Sequence, residues 1–288
     1  MELKLGAGGS DLMQARARRI AVALGEEGHD VEVVAVGGLD DPGPSWGDEL
    51  TAMLREALRN EEVDAVVHSL EHLPVDETQD LNMASIPRRG DAREAFIGHN
   101  GMPLSGMRQG ARIGTRSPLR IAQLHHIRPD LEFVSTEGTI ADRVNRVNGE
   151  DLDGVVISAE ALDVVGLSNR ITDYLDIIPD IGQGAVGLEC RVADKDIAAI
   201  LRQIEDTETR IAIMSERAVL RAMLGFTDRP VGAITRRRGA LGIKAGAFSF
   251  DGERRIVVEL GIPTSEFHAV KTGKRVAEEL RVRGADSL

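Results

Sequence analysis

The sequence predicts an α/β protein: two successive lobes built on mainly parallel sheets, then a small α+β unit. Three observations carry that expectation. Near-continuous apolar segments such as Ala65-Val66-Val67 alternate with stretches of helical period, the pattern of strands covered on both faces. The alternation runs twice, once before about residue 90 and once after it. From about Pro230 it gives way to strand-like runs joined by turn signals such as Asp251-Gly252.

Taken in order, 2–7 reads as a strand, and Gly8-Gly9-Ser10 opens a helix that reaches 24. A strand over 30–36, a Gly/Asp/Pro loop over 37–45, a helix over 48–60 and a strand over 63–69 follow. Segments 81–86 and 95–98 are expected to cross between the lobes. The second lobe then repeats the scheme, with strands over 111–115, 131–135 and 154–158 and helices over 117–127 and 139–147. Gly182-Gln183-Gly184-Ala185-Val186-Gly187 reads as the return crossover, followed by helices over 194–206 and 208–224. Strands over 231–235, 241–248 and 254–261 and a helix over 265–283 complete the chain. The expected domains are lobe 1 over 1–90, completed by about 183–206, lobe 2 over 91–182, and a C-terminal α+β domain over 207–288.

The 288 residues carry 47 acidic and 35 basic side chains, a net charge of -12, which argues against general nucleic-acid binding. No apolar run approaches the roughly 20 residues that span a bilayer. Met1-Glu2-Leu3-Lys4-Leu5 runs straight into a strand pattern rather than a signal peptide, so the expected setting is the cytoplasm, with neither nucleic acid nor membrane as a partner. The single cysteine, Cys190, excludes an internal disulfide framework and a Cys-cluster metal site. Only five of the basic residues are lysines and thirty are arginines. The arginine fork suits carboxylates and phosphates, so an Arg-lined anion pocket is one use of this surplus and solvated surface is the other.

Three segments carry candidate chemistry. Gly6-Ala7-Gly8-Gly9-Ser10 lies between a strand and a helix, where backbone N–H groups can meet an anion and Ser10 can cap or contact it. It lacks the third glycine of a dinucleotide fingerprint. Gly114-Thr115-Arg116-Ser117-Pro118-Leu119-Arg120 repeats that topology and offers hydroxyls and a cation to a carboxylate, while Ser117-Pro118 also satisfies ordinary helix capping. His68-Ser69-Leu70-Glu71-His72 ends a parallel strand, the place where α/β sheets collect ligands. A metal is not expected there, because three ligands on so short a loop are sterically awkward.

In this order the segments resemble the porphobilinogen deaminase (hydroxymethylbilane synthase) family of tetrapyrrole biosynthesis. The stretches that carry the resemblance are Ala65-Val66-Val67-His68-Ser69, Arg93-Glu94-Ala95-Phe96, Gly114-Thr115-Arg116-Ser117 and Arg128-Pro129-Asp130-Leu131. They continue through Gly182-Gln183-Gly184-Ala185-Val186-Gly187-Leu188-Glu189-Cys190-Arg191 and Ser215-Glu216-Arg217-Ala218. The resemblance implies two periplasmic-binding-protein-like lobes with crossover strands plus a small C-terminal α+β domain. It implies a transferase that joins four porphobilinogens with release of ammonia. The growing chain is tethered to a dipyrromethane cofactor, which a cysteine of the third domain holds by a thioether. Ser10, Ser69, Thr115, Ser117, Arg120, Arg143 and Gln183 match binding positions, Arg116 adds a cation, and Asp40 matches an acidic loop position.

The departures from the family pattern fall on the chemistry. The catalytic aspartate is replaced by His72, and its neighbouring lysine by Glu71. The anchoring cysteine falls at Thr227, and Cys190 lies at a position that does not anchor. Basic positions have become Gly8, Leu119, Glu137 and Val164. The expectation is a diverged member without a covalent cofactor. It would bind a small carboxylated ligand such as porphobilinogen or a bilane in an inter-lobe anion cleft, with Glu71 and His72 as the candidate acid–base pair. The alternatives are a working hydroxymethylbilane synthase and a non-catalytic regulatory or partner protein that uses the hinge.

Overall fold

A computed structural model describes residues 1–38, 46–75 and 78–288. Most of the 37–45 loop, with Asp40, lies outside the described residues. The elements are, in order, β1 (Glu2–Gly8), α1 (Asp11–Glu26), β2 (Asp30–Val36), α2 (Trp46–Arg59), β3 (Ala65–Ser69), β4 (Leu81–Ser85) and β5 (Glu94–Gly98). Next come β6 (Arg112–Gly114), α3 (Pro118–Ile127), β7 (Glu132–Val134), α4 (Ile140–Asn145), β8 (Gly154–Ser158), α5 (Ala159–Val164) and β9 (Asp173–Leu175). The chain ends with β10 (Val186–Arg191), α6 (Lys195–Leu201), α7 (Thr207–Met223), β11 (Val231–Arg238), β12 (Ala240–Phe248), β13 (Arg255–Gly261) and α8 (Glu266–Val282).

Two compact units result, Met1–Gly90 with Gly184–Arg210 and Asp91–Gln183 with Ile211–Leu288. Each holds a five-stranded sheet of one design. In the first the order is β2-β1-β3-β10-β4, with β1 parallel to β2 and β3, and β10 antiparallel to both its neighbours. In the second the order is β7-β6-β8-β5-β9, with β6 parallel to β7 and β8, and β5 antiparallel to both its neighbours. The fourth strand of each sheet is therefore the one that follows a crossing of the chain: β5 after Gly90, β10 after Gln183. β4, expected to cross, is instead the edge strand of the first sheet, and the crossing follows it.

In the first unit α1 packs Met13, Ala17, Ile20 and Leu24 on Leu3, Leu5 and Val67, while Leu54 and Leu58 of α2 cluster with Val63 and Val66. The helix expected over 194–206 stops at Leu201 and tightens into a 3-10 turn over Arg202–Ile204. The Glu205 carboxylate there accepts from Ile86 N–H at 2.8 Å, and Asp206 N–H donates to Ile86 C=O at 3.1 Å. These tertiary bonds replace the next helical turn.

The second unit buries Phe96, Ile113 and Val156 of its sheet together with Leu124 of α3. It also contains an antiparallel sheet, β11-β12-β13. One face of that sheet, with Ala233, Ile243, Ala245 and Val258, packs on Val219 and Met223 of α7 and on Val276 and Leu280 of α8. The other face meets Ile178, where Gly232 and Gly246 leave no room for a Cβ. Glu216, fully buried, accepts from Gly182 N–H at 3.0 Å and from Thr235 N–H at 2.7 Å. The glutamate of the Ser-Glu-Arg-Ala stretch thus ties the glycine-rich return segment to β11. Two elements escaped the sequence reading. α5 follows β8 with no intervening loop, and β9 is a three-residue edge strand that exists through its pairing with β5.

Candidate substrate-binding site

In the first unit, Ser10 is the N-cap of α1, its hydroxyl accepting from Met13 N–H at 3.4 Å. A Cβ on Gly9 would lie 2.6 Å from Gly38 C=O, so the glycine admits the protein's own backbone rather than an anion. Further along α1 stands a residue that the sequence reading missed. Arg16 is 3% exposed, donates from Nη1 to the Ser69 hydroxyl at 3.0 Å and places Nη2 3.7 Å from Glu71 Oε1. Ser69 in turn donates to Glu71 Oε1 at 2.9 Å. The signal for Arg16 was present: it shares the buried stripe of Met13, Ala17, Ile20 and Leu24, where a charge requires a partner. Glu71 is thus a carboxylate held in place by a cation and a hydroxyl. His72 is largely exposed, with Nε2 3.8 Å from Glu71 Oε1.

His68 points elsewhere. Its Nε2 lies 3.0 Å from Glu189 Oε2, and Arg55 grips the same carboxylate bidentately at 3.0 Å and 3.0 Å. Burial alone pushes the Glu189 carboxyl up, but the bonds from His68 and Arg55 outweigh it and hold the group below its ordinary range. This triad pins β10 to β3 and α2. No group of metal-ligating residues forms among the described residues.

The second unit gathers Thr115, Ser117, Arg120 and Gln183. Thr115 Oγ1 accepts from Ser117 N–H at 3.4 Å, and Ser117, the N-cap of α3, accepts from Arg120 N–H at 3.3 Å. Arg120 donates from Nε to Glu94 Oε1 at 2.9 Å and from Nη2 to Gln183 Oε1 at 3.1 Å. Gln183 anchors itself through Nε2 to Ala92 C=O at 3.0 Å. Glu94, also missed from sequence, is completely buried on β5. Burial pushes its carboxyl above the ordinary range, with the Arg120 guanidinium opposing that rise. Arg116 is half-buried on the turn before Ser117, and Arg143 is half-buried on α4. Leu119 is a core residue packed with Ala122, Ile178 and Phe248.

Thr227 occupies the turn between α7 and β11. Its hydroxyl donates to Ala285 C=O at 3.4 Å and accepts from Arg229 N–H at 3.1 Å. Cys190 is 0% exposed in β10, and burial pushes its thiol up to about 11.

The arrangement can be set beside known proteins. Residues 3–199 match the family profile described as "Porphobilinogen deaminase, dipyromethane cofactor binding domain". The porphobilinogen deaminase of Corynebacterium efficiens is 33% identical over 307 residues, spanning 100% of this chain and 99% of that protein. That of Syntrophotalea carbinolica is 37% identical over 239 residues, spanning 82% of this chain and 75% of that protein. Among solved structures, the methionine-binding protein MetQ is similar with a TM-score of 0.45 at 15% identity, covering 72% of this chain and 91% of that one. No helix among the described residues is long and apolar enough to cross a membrane. A profile match over about two-thirds of the chain and the full-length identity to named relatives make this chain a member of the porphobilinogen deaminase family of tetrapyrrole biosynthesis.

Proposed function

We propose that the protein binds a carboxylated pyrrole such as porphobilinogen, with dipyrromethane-tethered polymerisation lost or altered. The second unit supplies the anion-binding set, Thr115, Arg116, Ser117, Arg120 and Gln183, with Arg143 as a further cation. The first unit, taken by itself, carries the hydroxyls of Ser10 and Ser69 and a carboxylate at Glu71. Loss of ammonia from an aminomethylpyrrole leaves a cation, which a fixed, partly desolvated carboxylate stabilises. Glu71, held by Arg16 and Ser69, has that character, and His72 beside it is the group able to carry a proton.

The observation that carries the altered chemistry is the hydroxyl at Thr227 in a chain whose one thiol is enclosed elsewhere. Cys190 is enclosed in β10 with its thiol near 11, so it supplies little thiolate at neutral pH. Where the family resemblance places the anchor, Thr227 offers a hydroxyl, a far weaker nucleophile than a thiolate. These residues do not fit a thioether-linked dipyrromethane.

The test is intact-protein mass spectrometry after expression with porphobilinogen available, joined to calorimetry with porphobilinogen and an ammonia assay. Unmodified mass, measurable binding and no ammonia are expected. An adduct of two pyrrole units together with ammonia release would overturn the reading and establish a working hydroxymethylbilane synthase. That second reading draws its support from the 33% identity along the whole chain to a protein named porphobilinogen deaminase.

A further inference from the structure

Glu94 is an unusual companion for a ligand-binding arginine. It is completely enclosed, whereas the Arg120 side chain keeps 14% of its surface exposed. One carboxylate oxygen accepts from Arg120 Nε at 2.9 Å, and the other, Oε2, is buried without a hydrogen-bond partner. A fully ionised buried carboxylate normally fills both oxygens. The charged and titratable groups that face it are few. α3 contributes Arg120, and the return segment contributes Asp180 and the neutral Gln183. Across the sheet, the residues opposite Glu94 are Ser158 on β8 and Leu175 on β9. Among the described residues, Arg120 is the cation that favours its ionised form, the Gln183 amide adds a weaker hydrogen-bonding contribution, and Asp180 works against it.

We propose that Glu94 is a positioning residue of this anion site, and that a ligand carboxylate taken up at Arg120 is bound together with one proton on the Glu94 carboxyl group. The inference rests on the proposed binding of a carboxylated pyrrole and assigns the site a proton count. The reason is charge competition. With the site empty, the guanidinium compensates Glu94. When a second carboxylate approaches the same guanidinium, two anions share one cation in a poorly solvated place, and the enclosed one is the cheaper to neutralise. The protonated carboxyl still accepts from Arg120 Nε through its carbonyl oxygen, so the guanidinium keeps its orientation. By linkage, affinity then rises as pH falls.

Calorimetric titration of the full-length protein with porphobilinogen, in buffers of unlike ionisation heat between pH 5.5 and 8, reads both quantities. Proton uptake approaching one per ligand is expected, with Kd rising by up to about tenfold per pH unit where free Glu94 is ionised and bound Glu94 is not. Glu94→Gln should bind with no pH slope and no buffer-dependent heat, and Glu94→Asp should restore both. A merely structural Glu94 would instead weaken binding in both variants and leave the slope in place. Thermal melts identify any variant that fails to fold, and the wild-type proton count decides the matter without it. Binding with no proton uptake in the wild type overturns the coupling and leaves the proposed ligand standing. No binding of porphobilinogen across the range removes the ligand and the coupling together.

Discussion

Arg16 Nη1 donates to the Ser69 hydroxyl at 3.0 Å from a side chain that is only 3% exposed, and the same guanidinium stands 3.7 Å from Glu71. A helix that otherwise supplies apolar packing thereby fixes a carboxylate at the end of β3. Breaking such a pair from one side leaves a poorly solvated charge. Arg16→Met is expected to cost about 3 kcal/mol in urea denaturation, and adding Glu71→Leu should recover most of it. If the double variant is no more stable than the single one, Glu71 does not depend on Arg16.

The enclosed thiol predicts an alkaline signature. Unfolded Cys190 ionises near 9.0, and the folded thiol only near 11. The folded state therefore keeps the proton longer, and stability falls as pH rises from about 9 to 11, by roughly 2–3 kcal/mol. Cys190→Ala shifts overall stability through lost packing but should flatten this slope relative to wild type. Equal slopes in denaturation curves at pH 8.5 and 10.5 would count against it. In native protein at pH 8, a disulfide-exchange reagent should label the thiol only as fast as the protein opens.

Glu189 predicts the opposite limb. Its folded carboxyl lies below the ordinary 4.5, because the His68 and Arg55 bonds outweigh burial. The stabilisation is complete above the unfolded value and is lost as pH falls through the folded one. Glu189→Gln should thus lose less stability than wild type between pH 5 and 3 in guanidinium titrations. An identical acid limb in the two proteins would remove the triad from that role.

Two glycines in helices should respond in opposite ways to alanine. A Cβ at Gly273 of α8 would stand 2.1 Å from Ser215 C=O on α7, so Gly273→Ala must push the helices apart, at about 1–3 kcal/mol or more. At Gly25 in the last turn of α1 a Cβ meets nothing within 4 Å, and Gly25→Ala should gain up to about 1 kcal/mol. Differential scanning calorimetry gives both signs. A neutral Gly273→Ala would show that α7 and α8 have slack where they cross.

Much of this was legible in the sequence because it is local. Apolar runs such as Ala65-Val66-Val67 declared β3, Ser10 and Ser117 declared the starts of α1 and α3, and the change after Pro230 declared the antiparallel sheet. Family motifs supplied the polar residues around Thr115 and Gln183. β9 was not legible, since three residues carry no period and the strand exists only beside β5. The end of α6 was hidden for a similar reason: Glu205 and Asp206 prefer Ile86, 119 and 120 residues earlier in the chain, to another helical turn.

The sequence by itself determined the order of the elements, the family, and the positions in the chain of Glu71, His72 and Thr227. Only the tertiary structure decided what surrounds those residues and their neighbours. It placed Arg16 under Glu71, Glu94 behind Arg120, and the one thiol inside a sheet. The physical reason is that secondary structure follows from short-range sterics and periodicity. The ionisation of a buried group is set instead by how much water it loses and which charge, distant in sequence, is brought beside it.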